Sequence, residues 1–227
     1  MSSFSMSSYE AEASSFGVDV TGGGGGSGGY HGHHRGILSS ATLPSSQVAV
    51  VRSNRQKVIY DPIWGDMCLD RLLIKLIDTS YFQRLRHLKQ LGTTYFVFPG
   101  ASHNRFEHSL GTAHLAGQLV RGLLARQPEL GLTERDVLLV SMAGLCHDLG
   151  HGPFSHVFDN EFLPAVDTDG ALRGWKHEAA SEMMLDAAIH ASGLDDEEVE
   201  EEALSPDEIT FVKQLINPPC TLLNALR

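Results

Sequence analysis

The spacing of apolar and polar residues changes abruptly at Lys57. Lys57-Val58-Ile59-Tyr60 has the composition of a short strand, stopped by Asp61-Pro62 and a turn around Gly65. Leu72, Leu73, Leu76, Ile77, Phe82, Leu85, Leu88 and Leu91 then recur at helical spacing. This predicts helix from Leu69 to Leu91 with a break at Asp78-Thr79-Ser80, where Asp78 or Thr79 can cap a second helix. Tyr95-Phe96-Val97-Phe98 reads as a brief extended segment ended by Pro99-Gly100.

Arg105 to Ala125 is a long helical pattern, with Leu110, His114, Leu115 and Leu119 along one side. Thr133 caps the next helix, and Asp136 stands in for the usual Glu of a capping box. That helix runs through Val137, Leu138, Val140, Met142, Ala143 and Leu145; being apolar almost all round, it is expected at the centre. Gly150-His151-Gly152-Pro153 ends it, a further helix spans His177 to His190, and Ser205-Pro206 starts a short one over Ile209–Ile216. Asp195 to Glu202 is an acidic run, read as a solvated face. The fold class expected is all-α, with one or two short strands near the N-terminal edge.

Residues 1–56 hold 10 of the 23 glycines and 13 serines, too little apolar surface to offset ordering entropy, and are expected to be disordered. They contain His31-Gly32-His33-His34, read as chance histidines in a flexible tail. The expected domains are thus a tail over 1–56, a helical domain over 57–216 and an irregular end over 217–227.

Seventeen Lys and Arg against 28 Asp and Glu give a net charge of −11, which argues against a protein that coats nucleic acid or an anionic membrane by charge. No run of about 18 apolar residues predicts a membrane span, and no secretory signal is expected. Cys68, Cys146 and Cys220 make no CxxC pair, which suits a reducing compartment, nuclear or cytoplasmic.

The chemistry concentrates in Cys146-His147-Asp148-Leu149-Gly150-His151-Gly152-Pro153-Phe154-Ser155-His156. A carboxylate and an imidazole at the end of a very apolar helix are costly unless something pairs with them. A divalent metal is the natural partner, and imidazole with carboxylate suits Fe, Mn, Zn or Ni, with Mg less content on nitrogen. A His-Asp pair that merely caps the helix is the bland alternative. The further histidines His108, His151 and His156 favour the metal.

His108, then His147-Asp148, resembles the ligand signature of the HD-domain phosphohydrolases. Asp78 to Arg86, Phe98 to Ser109 and Ala143 to His156 resemble, more closely, the sterile-alpha-motif and HD-domain deoxynucleoside triphosphate triphosphohydrolases. That resemblance covers roughly residues 57–190 and implies an HD-domain helical bundle, C-terminally incomplete. It implies that His108, His147 and Asp148 hold a metal ion (Fe, Zn, Mn or Mg) and that Arg105 grips a triphosphate oxygen. His151, His156 and His177 would line the phosphate side, with His156 as general acid and Asp159 orienting it. Gln90 and Leu91 would touch the sugar.

It also implies a regulatory guanine-nucleotide site at Lys57, Val58, Asp78, Gln83 and Arg86, with GTP as activator and a tetramer as the assembly. The partners implied are deoxynucleoside triphosphates. The family's fourth metal ligand is a distant Asp, and only 79 residues follow Asp148. A three-ligand site with little activity is therefore expected. The alternative function is an impaired nucleotide-binding or regulatory chain that associates with a full-length relative; in this chain the apolar faces at Leu115–Leu124 and Ile209–Ile216 are expected to stay uncovered.

Overall fold

The computed structural model describes residues 56–196 and 203–219; the Gly/Ser-rich tail, its histidine tract, most of the acidic run and the last residues lie outside this range. Asp61 makes the first turn. Its Oδ1 accepts the backbone N–H groups of Ile63 (2.7 Å) and Trp64 (3.0 Å), and Gly65 supplies the positive φ of +71°. The strands β1 (Gln56–Asp61) and β2 (Gly65–Asp70) therefore pair antiparallel, with Gln56 opposite Asp70 and Asp61 opposite Gly65. In β2, Met67 and Leu69 point to the core while Asp66 and Cys68 face out, the period of two that a half-buried strand requires.

Asp70 then caps α1 (Arg71–Ile77), accepting from the Leu72 N–H at 2.9 Å. Leu69 belongs to the strand, not to the expected helix. Thr79 is the cap at the predicted break and starts α2 (Ser80–Gln83), which continues as a 3-10 turn over Arg84–His87. The helix stops there rather than at Leu91. Residues 88–90 pair instead with 103–105: Gln90 N–H donates to His103 O (3.1 Å) and Arg105 N–H to Leu88 O (2.8 Å). This pairing holds the start of α3 in place.

Tyr95–Phe98 is not extended. Gly92–Phe96 forms a 3-10 turn, and Thr94 O accepts from Val97 N–H (3.0 Å) and Phe98 N–H (2.8 Å). Among the described residues it has no strand partner, so the backbone satisfies itself locally.

The centre is α3 (Arg105–Arg126) packed on α4 (Glu134–Cys146), in close approach because of small residues. A Cβ on Gly144 would lie 3.2 Å from Thr112 O, and one on Gly117 would lie 2.6 Å from Ser141 Oγ. Thr133 and Asp136 form the predicted capping box. A π turn over Phe158–Phe162 runs into α5 (Leu163–Val166), both unforeseen. Beyond them lie α6 (His177–Ser192) and α7 (Pro206–Ile216), the latter started by a Ser205/Glu208 capping box.

The core gathers Leu76, Phe82, Leu110, Met142, Leu145, Leu149, Leu185 and Val212. The expected exposed face is half right. Leu115 and Leu119 are exposed, but Val212 and Ile216 of α7 are buried against the core and Arg135 of α4 holds Glu208 with two hydrogen bonds (2.5 and 2.8 Å). The described residues thus form a helical fold with a two-stranded sheet at its N-terminal edge, and none of their helices is long and apolar enough to cross a membrane.

Candidate metal centre and phosphate pocket

The end of α4 and the start of α3 face each other, and this juxtaposition builds the site. His108, one turn into α3, places Nε2 at 3.2 Å from His147 Nε2. Asp148 presents Oδ2 to His108 Nε2 (3.4 Å) and Oδ1 to His147 Nε2 (3.3 Å). Ligands held at about 2.0–2.2 Å from one ion lie roughly 3.0–3.5 Å from each other, so the spacing fits a metal centre. The tautomer fits as well. His147 Nδ1 donates to Gly144 O at 2.8 Å, which leaves the Nε2 lone pair for a ligand bond.

The turn that carries this pair is fastened on two sides. Ser181 Oγ of α6, fully buried, donates to His147 O (2.7 Å) and accepts from Gly150 N–H (2.8 Å). Arg84 reaches the carbonyls of Leu149 and His151. Gly150 admits no side chain, since a Cβ there would lie 2.3 Å from His177 O and from Ser181 N.

Asp148 is buried, and burial by itself would raise its pKa. The hydrogen bond from His151 and the positive fields of His147 and Arg105 outweigh that, so the carboxyl sits well below its ordinary range. Arg105, 3% exposed, lies against Asp148 Oδ2 and donates from Nη2 to Ser155 Oγ at 2.7 Å. The Ser155 hydroxyl in turn donates to Gln90 O (3.1 Å). Phe154 and Ser155 adopt φ of +65° and +57°, a conformation that costs non-glycine residues strain of about 1–2 kcal/mol each. Sequence reasoning did not single out Ser155. Its role depends on this strained backbone, which no local motif announces.

His151, 2% exposed, faces Asp148 Oδ1 with Nε2 at 3.4 Å and stacks on His177 with ring centres 3.8 Å apart. Burial lowers the pKa of His151 and, first among several causes, that of His108, which favours the neutral form of both. His156 is exposed and completes the cluster with ring centres 5.2 Å from His151 and 5.4 Å from His177. Asp159, expected beside His156, instead holds His177 Nδ1 at 2.9 Å. The π turn at Phe158–Phe162 carries its carboxylate toward α6. Gln90 joins the pocket through Ser155, whereas Leu91 is exposed beside it.

Several buried polar atoms around this pocket have no partner among the described residues: Gln90 Oε1, Arg105 Nε, His151 Nδ1 and Asp159 Oδ1. Orphaned buried groups cost about 1–3 kcal/mol each, and their concentration in one place marks a polar ligand site.

On the opposite side of Phe106, a cavity of about 320 Å³ is lined by Lys57, Asp78, Gln83 and Arg86 together with Tyr60 and Leu110. Four of the five residues expected to hold a regulatory nucleotide thus meet in one concavity. Val58 does not line it and is exposed. Arg86 lies over the Phe106 ring at 3.5 Å and donates to Gln83 Oε1 at 2.8 Å.

A helical fold that brings a histidine from one helix against a His-Asp pair at the end of the next defines the HD-domain class. Residues 105–209 match the HD domain. The chain is 48% identical over 192 residues to the Gallus gallus deoxynucleoside triphosphate triphosphohydrolase SAMHD1, covering 80% of this chain and 30% of that one. The Homo sapiens protein of the same name is 52% identical over 170 residues, 74% of this chain and 26% of that one. The Dictyostelium discoideum SAMHD1 homolog is 48% identical over 160 residues. The chain spans less than a third of the length of these relatives.

Proposed function

We propose that the chain carries a metal-dependent deoxynucleoside triphosphate triphosphohydrolase site, which splits a dNTP and water into deoxynucleoside and tripolyphosphate. The observation that carries this reading is the set of buried, unpartnered polar atoms around a fitted metal triad. His108, His147 and Asp148 would hold the ion, of Fe, Zn, Mn or Mg type. When bound it would polarise a phosphorus oxygen and lower the pKa of a water at the α-phosphate.

The remaining work falls to this chain's own side chains. Arg105 is fixed by Asp148 and Ser155 and still has Nε to donate to a triphosphate oxygen. His177, oriented by Asp159, and His151 present ring nitrogens to the phosphates. His156, exposed at the mouth of the pocket, is the general acid that gives its proton to the departing 5′-oxygen. Gln90 and Leu91 pack the sugar, and close packing at the 2′ position would favour deoxyribose.

GTP as activator belongs to the cavity at Lys57, Asp78, Gln83 and Arg86. The Asp78 carboxylate would accept the guanine N1–H and amino donors, and Lys57 and Arg86 would balance phosphate charge. Association into a homo-oligomer goes with that site. The same cavity also supports a second reading, a nucleotide-binding chain of low activity that associates with a longer relative.

Reaction of dGTP in ¹⁸O-water tests the chemistry. Attack at the α-phosphorus puts the label into tripolyphosphate and none into deoxyguanosine, whereas label in pyrophosphate or in dGMP contradicts it. GTP binding without any turnover by the metal-loaded chain would select the second reading.

A further inference from the structure

One cavity has no part in the chemistry above. Its volume is about 530 Å³, and Asp159, Leu163, Asp167, Asp169, Arg173 and Trp175 line it. Of the four orphaned groups around the phosphate pocket, Asp159 alone also borders this cavity. Its side chain is 8% exposed; Oδ2 takes the Nδ1–H of His177 at 2.9 Å, and Oδ1 is buried with no partner among the described residues. A buried carboxylate oxygen without a donor is costly, and the cavity is the approach by which a donor can reach it. The two carboxylates of the following loop are half engaged. Asp167 Oδ1 accepts the Leu172 N–H (3.0 Å) and Asp169 Oδ1 the Ala171 N–H (3.2 Å), which leaves Oδ2 of each for a ligand.

Three carboxylates against the one guanidinium of Arg173 give the lining a surplus of negative charge, which calls for a cation. A single hard ion does not fit. Among the described residues, Asp159, Asp167 and Asp169 are not a set whose ligand atoms all lie within 4.8 Å of one another, so they are too dispersed to close on one Ca²⁺ or Mg²⁺. Dispersed negative charge beside an apolar wall suits a cation that is itself dispersed, with ammonium groups joined by methylene chains. Leu163 and the Trp175 indole supply the wall, and an indole face attracts ammonium as well as covering methylene. Trp175 is braced edge-on by Phe158, with ring centres 5.9 Å apart.

We propose that this cavity binds a linear polyammonium ion of the spermidine type, with one ammonium on Asp159 Oδ1, another at the rim by Asp167 and Asp169, and the methylene chain along Trp175. Occupancy is felt in the phosphate pocket, because the carboxylate that takes the ammonium on one oxygen holds His177 on the other. Arg173 is the opposing charge, and the exposed loop that carries it lets it swing away from the ligand.

Isothermal titration of the full chain with spermidine tests the site, at about 0.15 M salt to screen diffuse attraction to a chain of net charge −11. One bound equivalent is expected, with putrescine weaker. Asp159→Asn should weaken spermidine at least about 10-fold, and Asp167→Asn and Trp175→Leu each about 2–5-fold, with circular dichroism unchanged. Arg173→Gln removes the opposing charge and should tighten binding about 2–5-fold. In a Trp64→Phe background Trp175 is the only indole, and its fluorescence should change over the same concentration range. Absence of binding, binding unaltered in Asp159→Asn, weaker binding in Arg173→Gln, or displacement of spermidine by equimolar Ca²⁺ each overturns the proposal. Nucleotide is absent throughout, so failure of the hydrolase reading would leave these affinities unchanged.

Discussion

Cys146 and Asp148 lie two residues apart, both buried, and their surroundings treat them in opposite ways. Burial in an apolar helix pushes the Cys146 thiol up to about 12, which leaves essentially no thiolate at neutral pH. Asp148 has a hydrogen bond and two positive neighbours and keeps its charge. Alkylation by iodoacetamide at pH 8, mapped by peptide mass spectrometry, should label the exposed Cys68 and spare Cys146 until the chain is denatured; early labelling of Cys146 would contradict its burial. Phe154 offers a complementary test. Its side chain is 57% exposed and its φ is +65°, so Phe154→Gly should relieve strain at little packing cost and raise stability by up to about 1 kcal/mol. A clear loss of melting temperature would show instead that the Phe154 ring packs against something that matters.

At the level of elements, the contacts that fasten α6 and α7 decide whether the site holds its shape. Gly150→Ala would drive a methyl group into His177 O and Ser181 N at the start of α6, and backbone there cannot yield as a flexible side chain would. A destabilisation of about 1–3 kcal/mol or more, together with loss of metal binding, is expected by thermal melting and metal analysis. Arg135 and Glu208 join α4 to α7. The Arg135 hydrogen bonds are the largest cause holding the Glu208 carboxyl down to about 2, from 4.5 when unconstrained. A depressed folded-state pKa contributes stability that is present above pH 4.5 and is lost as pH falls toward 2. Hydrogen exchange in α7 should therefore accelerate over that window, and Glu208→Gln should remove the pH dependence. Solvent screening of the half-exposed Arg135 keeps the effect modest.

Legibility in the sequence followed the same division between local and distant contacts. The caps at Thr79, Thr133/Asp136 and Ser205/Glu208 were readable because donor and acceptor lie three residues apart. The second strand was not, since Met67 and Leu69 are only two inward residues, and Tyr95–Phe98 misled because an apolar run has no strand without a partner.

For the molecule as a whole, the His108/His147-Asp148 constellation was visible as a chemical oddity at the end of an apolar helix. The swap of Asp159 from His156 to His177 was not, because it depends on a π turn that spacing does not encode. The expected regulatory residues gathered into one cavity except Val58, which is exposed and does not line it. The two pockets share the first turn of α3, where Arg105 faces the metal triad and Phe106 backs the second cavity. The central claim is that this triad is the hydrolytic centre. Its most direct test is deoxyguanosine release from dGTP by the metal-loaded chain, beside His147→Ala of equal circular dichroism. Release that is at least 100-fold slower in the variant is predicted; equal release from both proteins, or none from either with stoichiometric metal bound, would contradict it.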